Sequence, residues 1–111
     1  MTPNILFGQL IAILGKEATR RFLKVAQPEL QYAQQMLLAN LQQQNYPAAA
    51  LIAHKLSATA HLYDFAALQD ALATIKAQDA AALQHPAFIP TFMHTFQQIQ
   101  ANIQQFTADN C

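Results

Sequence analysis

Glycine is nearly missing from this sequence, two in 111 residues, and nothing in it resembles a flexible Gly-rich linker, an internal repeat or a run of like charge. The single cysteine, Cys111, is the last residue, which excludes an intramolecular disulfide. Charge is sparse and balanced, six basic against six acidic side chains, so there is no overall electrostatic footprint for nucleic acid or for an anionic membrane, and both are set aside as expected partners. No apolar run approaches the ~18 residues of a membrane span. The N-terminus lacks the basic stretch, apolar core and small-residue cleavage site of a secretory signal, so a cytoplasmic location is expected.

Metal chemistry is equally short of material. His54 and His61 lie seven residues apart, ~10.5 Å along a helix axis, too far to share one ion. No Glu-x-x-His pair of the kind used in di-iron bundles occurs. No metal and no cofactor are expected on this chain. Ser57 stands three residues from His54, at helical contact spacing, but a flat helix face offers no source for an oxyanion hole, which argues against hydrolase chemistry.

What the chain has in quantity is helix-forming residues. Apolar side chains make up 53% of the sequence, and Ala, Leu and Gln dominate. That balance favours helix over sheet, and the length suits one domain, residues 1–111, with a single core. Thr2-Pro3 reads as a cap and first turn of a short helix through Ile5, Leu6, Leu10, Ile13 and Leu14, ended by Gly15. Phe22, Ala26, Leu30, Ala33, Leu37 and Leu41 recur at spacings of three and four, predicting a long helix from about Glu17 to Gln43 with Pro28 inside it. Asn45 reads as the N-cap of the next helix, with Pro47 in its first turn. Asp64 reads as the cap of another, whose buried stripe is Phe65, Leu68, Leu72 and Ile75. His85-Pro86 and Ile89-Pro90 punctuate a turn region, and Phe92, Phe96, Ile99, Ile103 and Phe106 form a last core stripe. The expected fold is all-α: an antiparallel up-down four-helix bundle with a short additional N-terminal helix.

The helix that begins at Asn45 carries the candidate site. Turned at 100° per residue from His54, positions Ala49, Ile52, Leu56, Thr59 and Tyr63 gather opposite, while Pro47, Ala50, Leu51, Ala58 and His61 share the histidine's side. His54 is thus expected to face solvent from a surface of mostly small residues. Imidazole is the side chain whose neutral, nucleophilic form is ordinarily available at physiological pH.

The surroundings of this histidine resemble the histidine-containing phosphotransfer family, whose pattern runs Ala-His-x-Leu-Lys-Gly, followed by a Gly and a spaced Leu. Ala53, His54, Leu56 and Leu68 match it. Upstream, Phe22-Leu23-Lys24-Val25-Ala26-Gln27-Pro28-Glu29-Leu30 is similar to the family's Phe-Leu-x-x-x-x-Pro-Glu-Leu run. Asn45 to Leu51 is similar to its polar cap and Ala-Leu approach. The likeness extends from about Leu10 to Ile75 and rests on the order and spacing of short patterns. Three positions depart from it: Ser57 stands for the usual Lys, Ala58 for Gly, and Asp64 for a second Gly.

The resemblance implies a phosphoryl carrier and no independent enzyme. His54 would be the phosphoacceptor, taking the group from an aspartyl phosphate on a receiver domain of a response regulator or hybrid kinase and passing it to another receiver. The partner would bring the Mg2+. Lys55 and Ser57 would stabilise the phosphate, Lys55 by bending back its long stem and Ser57 by donating a hydrogen bond. Ala50, Leu51, Ala58 and His61 would form the docking face, and the protein would act as a monomer. The alternative in the same fold is a phosphorylation-silent module that binds a receiver or kinase without carrying phosphate.

Overall fold

The computed structural model describes residues 7–63 and 65–108. Among them the chain forms six α-helices and no strand: α1 (Gly8–Leu14), α2 (Lys16–Gln42), α3 (Tyr46–Ala60), α4 (Ala66–Lys76), α5 (Ala80–Leu83) and α6 (Phe88–Ala108). A 3-10 turn, His61–Tyr63, follows α3 directly.

The boundaries have local causes. Gly15 takes φ 85°, a backbone open to glycine and strained for other residues, and so breaks α1 from α2 while its N–H still bonds the Ile11 carbonyl at 2.8 Å. The end of α2 turns on Gln44 at φ 58°. The Gln44 N–H donates to the Leu41 carbonyl at 3.1 Å and the Asn45 N–H to the Asn40 carbonyl at 2.8 Å, the paired bonds that close a left-handed helix end. Asn45 then starts α3, its side-chain oxygen accepting from the Ala48 N–H at 3.4 Å, with Pro47 in the first turn. Asn45 is therefore the cap that the sequence predicts.

Helix α3 packs most extensively against α4 and also against α2; α2 packs in turn against α6, and α1 lies on α2. Leu23, Leu30 and Leu37 of α2, Leu68, Leu72 and Ile75 of α4, and Phe92, Phe96, Ile99 and Ile103 of α6 fill one buried core. Each such side chain contributes about 1.5–3 kcal/mol through removal from water. The rings of Phe92 and Phe96 lie 4.9 Å apart, tilted at 51°. Pro28 withholds a donor from the Lys24 carbonyl, yet α2 continues through it, and the Gln100 side chain of α6 donates to the Gln27 carbonyl at 3.4 Å beside it. No helix among the described residues is long and apolar enough to cross a membrane.

Some expectations need correction, and others fall outside the described residues. The expected cap at Thr2-Pro3, with Ile5 and Leu6, lies outside the described residues. Within the described part, α1 begins after Phe7, which is buried at φ 60° with its ring 5.7 Å from that of Phe106. Leu10 is buried, but Ile13 and Leu14 are exposed, because the seven-residue α1 has only α2 as its main neighbour. In α2 the buried line includes Thr19 and Leu23, with Phe22 and Ala33 only half-buried. The Asp64 cap also falls outside the described residues, and α4 begins after an extended Phe65 with no side-chain cap. The region between α4 and α6 is not simply a turn: Asp79 caps the short α5, its carboxylate accepting from the Ala82 N–H at 3.3 Å. Pro90 lies inside the first turn of α6, where its missing N–H is one of those that a helix start leaves unbonded.

Candidate functional site

Helix α3 is built on alanine. Ala49, Ala53, Ala60 and, just past its end, Tyr63 are buried, and this ridge faces the core. The expected inner face is therefore rotated: Ala49 and Tyr63 are buried as expected, but Ile52, Leu56 and Thr59 are only half-buried, while Ala53 and Ala60 are inside. The spacing of 49, 53, 56, 60 and 63, alternately four and three, was the sequence signal for that ridge.

His54 is exposed, about 100° round the helix from Ala53. Ala50, Leu51, Ala58 and His61 lie within about 60° of its azimuth, so the helix brings all four expected docking residues to the histidine's side. Ala58 and His61 are exposed, Ala50 is half-buried, and Leu51 stands out at 67% exposure. The surface beside the imidazole is thus low at two alanines and apolar at one leucine.

The two expected phosphate partners sit less favourably. Lys55 is exposed but belongs to a groove between α2 and α3, of about 400 Å³, together with Glu29, Tyr32, Met36, Ile52 and Thr59. Ser57 is half-buried, and its hydroxyl donates to the Ala53 carbonyl at 2.8 Å, one turn back on its own helix. Its proton would have to leave that bond to reach a phosphate oxygen.

Two residues of the groove, Glu29 and Thr59, act on a buried phenol. Burial pushes the Tyr63 hydroxyl above its ordinary pKa; the Thr59 hydroxyl beside it partly offsets this by favouring the phenolate, and the Glu29 charge adds to the rise. A second cleft, of about 510 Å³, lies at the α2–α3 turn and is lined by Gln44, Tyr46, Leu83, His85 and Ile89. His85 is a turn residue there, its Nδ1 accepting from the Ala87 N–H at 3.0 Å. His94 is exposed on α6. Among the described residues no three His, Cys, Asp or Glu side chains come together in a way that could hold a metal ion.

No family model, curated protein or solved structure matches the chain. The site must be argued from its own chemistry. It presents an exposed imidazole on a helix anchored through Ala49, Ala53 and Ala60, with small neighbours that leave room for a broad surface to approach. Such a ring can attack an electrophile that another molecule brings, and the firm backbone holds it in place while it does so.

Proposed function

We propose that the protein is a histidine phosphotransfer carrier in a two-component phosphorelay, located in the cytoplasm. The observation that carries this reading is the exposure of His54 from a helix whose opposite side is buried through alanines, with Ala50 and Ala58 keeping the surface low beside it. In this reading α2, α3, α4 and α6 form an antiparallel four-helix bundle, with α1 over one end. A receiver domain docks on the face of Ala50, Leu51, Ala58 and His61. The neutral ring nitrogen of His54 attacks the phosphorus of the receiver's aspartyl phosphate in line; the N–P bond forms as the acyl phosphate P–O bond breaks, and the carboxylate leaves on the receiver. Mg2+ bound to the partner neutralises the phosphoryl oxygens, so this chain contributes a positioned nucleophile and no turnover of its own. Lys55 supplies the nearest cation by reaching back from the groove side.

A second reading has a specific observation in its favour. The Ser57 hydroxyl is turned inward onto Ala53, and Lys55 borders the groove instead of the histidine face. A module so arranged would bind a receiver or kinase without holding phosphate. Incubation with phosphoramidate, followed by intact-mass measurement on wild type and His54→Gln, separates the two. The carrier acquires one acid-labile phosphoryl group that the variant does not. A folded wild type that stays unmodified sinks the carrier reading and leaves the silent module.

A further inference from the structure

The balanced charge of the whole chain conceals a local imbalance. Four of its six cations, Lys16, Arg20, Arg21 and Lys24, fall within nine residues at the start of α2, with Glu17 as the single acid among them. Arg20 is taken up by its neighbours: its guanidinium lies 2.9 Å from Glu17 and over the Phe106 ring, at 5.9 Å from the centroid. Lys16, Arg21 and Lys24 are exposed, and Arg21 keeps only a loose 3.8 Å approach to Glu17. The same end carries exposed aliphatic side chains, Ile13 at 70%, Leu14 at 44% and Val25 at 66%. Leu14 is two residues from Lys16, within about 7 Å along the chain, and Val25 sits one turn beyond Arg21 and next to Lys24.

We infer that this end of the molecule, α1 and the first turns of α2, binds the surface of an anionic lipid bilayer. The occupant is chosen by charge and by shape. Exposed lysine and arginine beside bare aliphatic side chains suit a surface that offers phosphate groups above a hydrocarbon layer: the cations stay at the headgroups while Ile13, Leu14 and Val25 enter the acyl boundary. Of the two clefts described above, the groove begins at Glu29, one turn beyond Val25 on α2, and the other is at the α2–α3 turn. A fluid bilayer accepts exposed aliphatic side chains of differing height beside cations, which a fixed surface would have to match one by one. The inference stands independently of His54, and it departs from the expectation that whole-chain neutrality leaves no role for a membrane surface.

Sedimentation with vesicles tests it, using phosphatidylcholine alone and phosphatidylcholine mixed with phosphatidylglycerol. The protein is expected to sediment with the mixed vesicles only and to be released by added salt. Arg21→Gln with Lys24→Gln, and separately Ile13→Ser with Val25→Ser, should each lower partitioning by about tenfold or more. All four positions are exposed, and matching thermal melts of wild type and variants check that the fold is unchanged. Failure to sediment with mixed vesicles, or equal binding by wild type and both variants, overturns the proposal. Binding to polyglutamate without binding to vesicles also overturns it, in favour of an acidic protein partner.

Discussion

Gln44 holds φ 58° at the end of α2, where the paired hydrogen bonds to Leu41 and Asn40 require a left-handed residue and glycine is the usual occupant. A side chain in that conformation costs roughly 1–2 kcal/mol, part of which a glycine at this position would recover. Gln44→Gly is expected to raise stability by about 0.5–1 kcal/mol, read as a higher urea midpoint with an unchanged slope, whereas Gln44→Ala should give no gain. A loss of stability in the glycine variant would mean that the Gln44 side chain, at the edge of the second cleft, contributes more than its backbone strain removes. Gln78, at φ 53° after α4, is left-handed too, its N–H bonding the Ile75 carbonyl at 3.0 Å before Asp79 caps α5. In both places a polar residue follows at once and starts the next helix. Neither glutamine could be recognised as a helix stop from sequence, because the residue type that usually marks one is absent.

At the scale of elements, α3 is distinguished by what its buried side lacks. Ala49, Ala53 and Ala60 bring little apolar area, but they allow its backbone to approach α2 and α4 closely. Overfilling that contact should therefore cost more than the added apolar surface returns. Ala53→Leu is expected to destabilise by about 1–3 kcal/mol in chemical denaturation, and Ala58→Leu, on the exposed side, by much less. Equal effects would show that α3 is not held by that ridge. The long helices were legible because their large apolar residues recur at helical spacing: Phe92, Phe96, Ile99, Ile103 and Phe106 of α6 are all buried as the pattern predicts, and Asn45 caps α3. Less was legible where side chains are small or elements short. Alanine is ambiguous in an apolar pattern, so Ala53 and Ala60 escaped the predicted inner face. Four residues are too few to establish a period, so α5 was missed. Proline reads as a breaker although a first helical turn accepts it, as at Pro90. The histidine's exposure could be predicted because opposite sides of one helix differ by angle alone. The inward turn of Ser57 and the groove beside Lys55 depend on contacts that no spacing encodes.

The molecule as a whole rests on one apolar core with few ionic contacts; among the described residues the ion pairs are those of Glu17 with Arg20 and Arg21. Its steepest pH response from a buried group should come from Tyr63. Because burial raises that phenol above the ordinary value of 10.0, its contribution to stability is complete below pH 10 and is lost as pH rises through the higher folded-state value. Denaturant midpoints measured from neutral pH to above pH 10 should fall more for wild type than for Tyr63→Phe, and parallel curves would show that Tyr63 is not the group responsible. Architecture also constrains the chain's length. Asn45 takes part in the last bonds of α2 and supplies the first cap of α3, so no loop stands between the two helices into which an insertion could disappear. If an added residue there took over the cap, every later residue of α3 would advance one step and turn 100°, bringing His54 to the azimuth now held by Lys55, beside the groove. The exposure of His54 therefore depends on an exact residue count between positions 43 and 54.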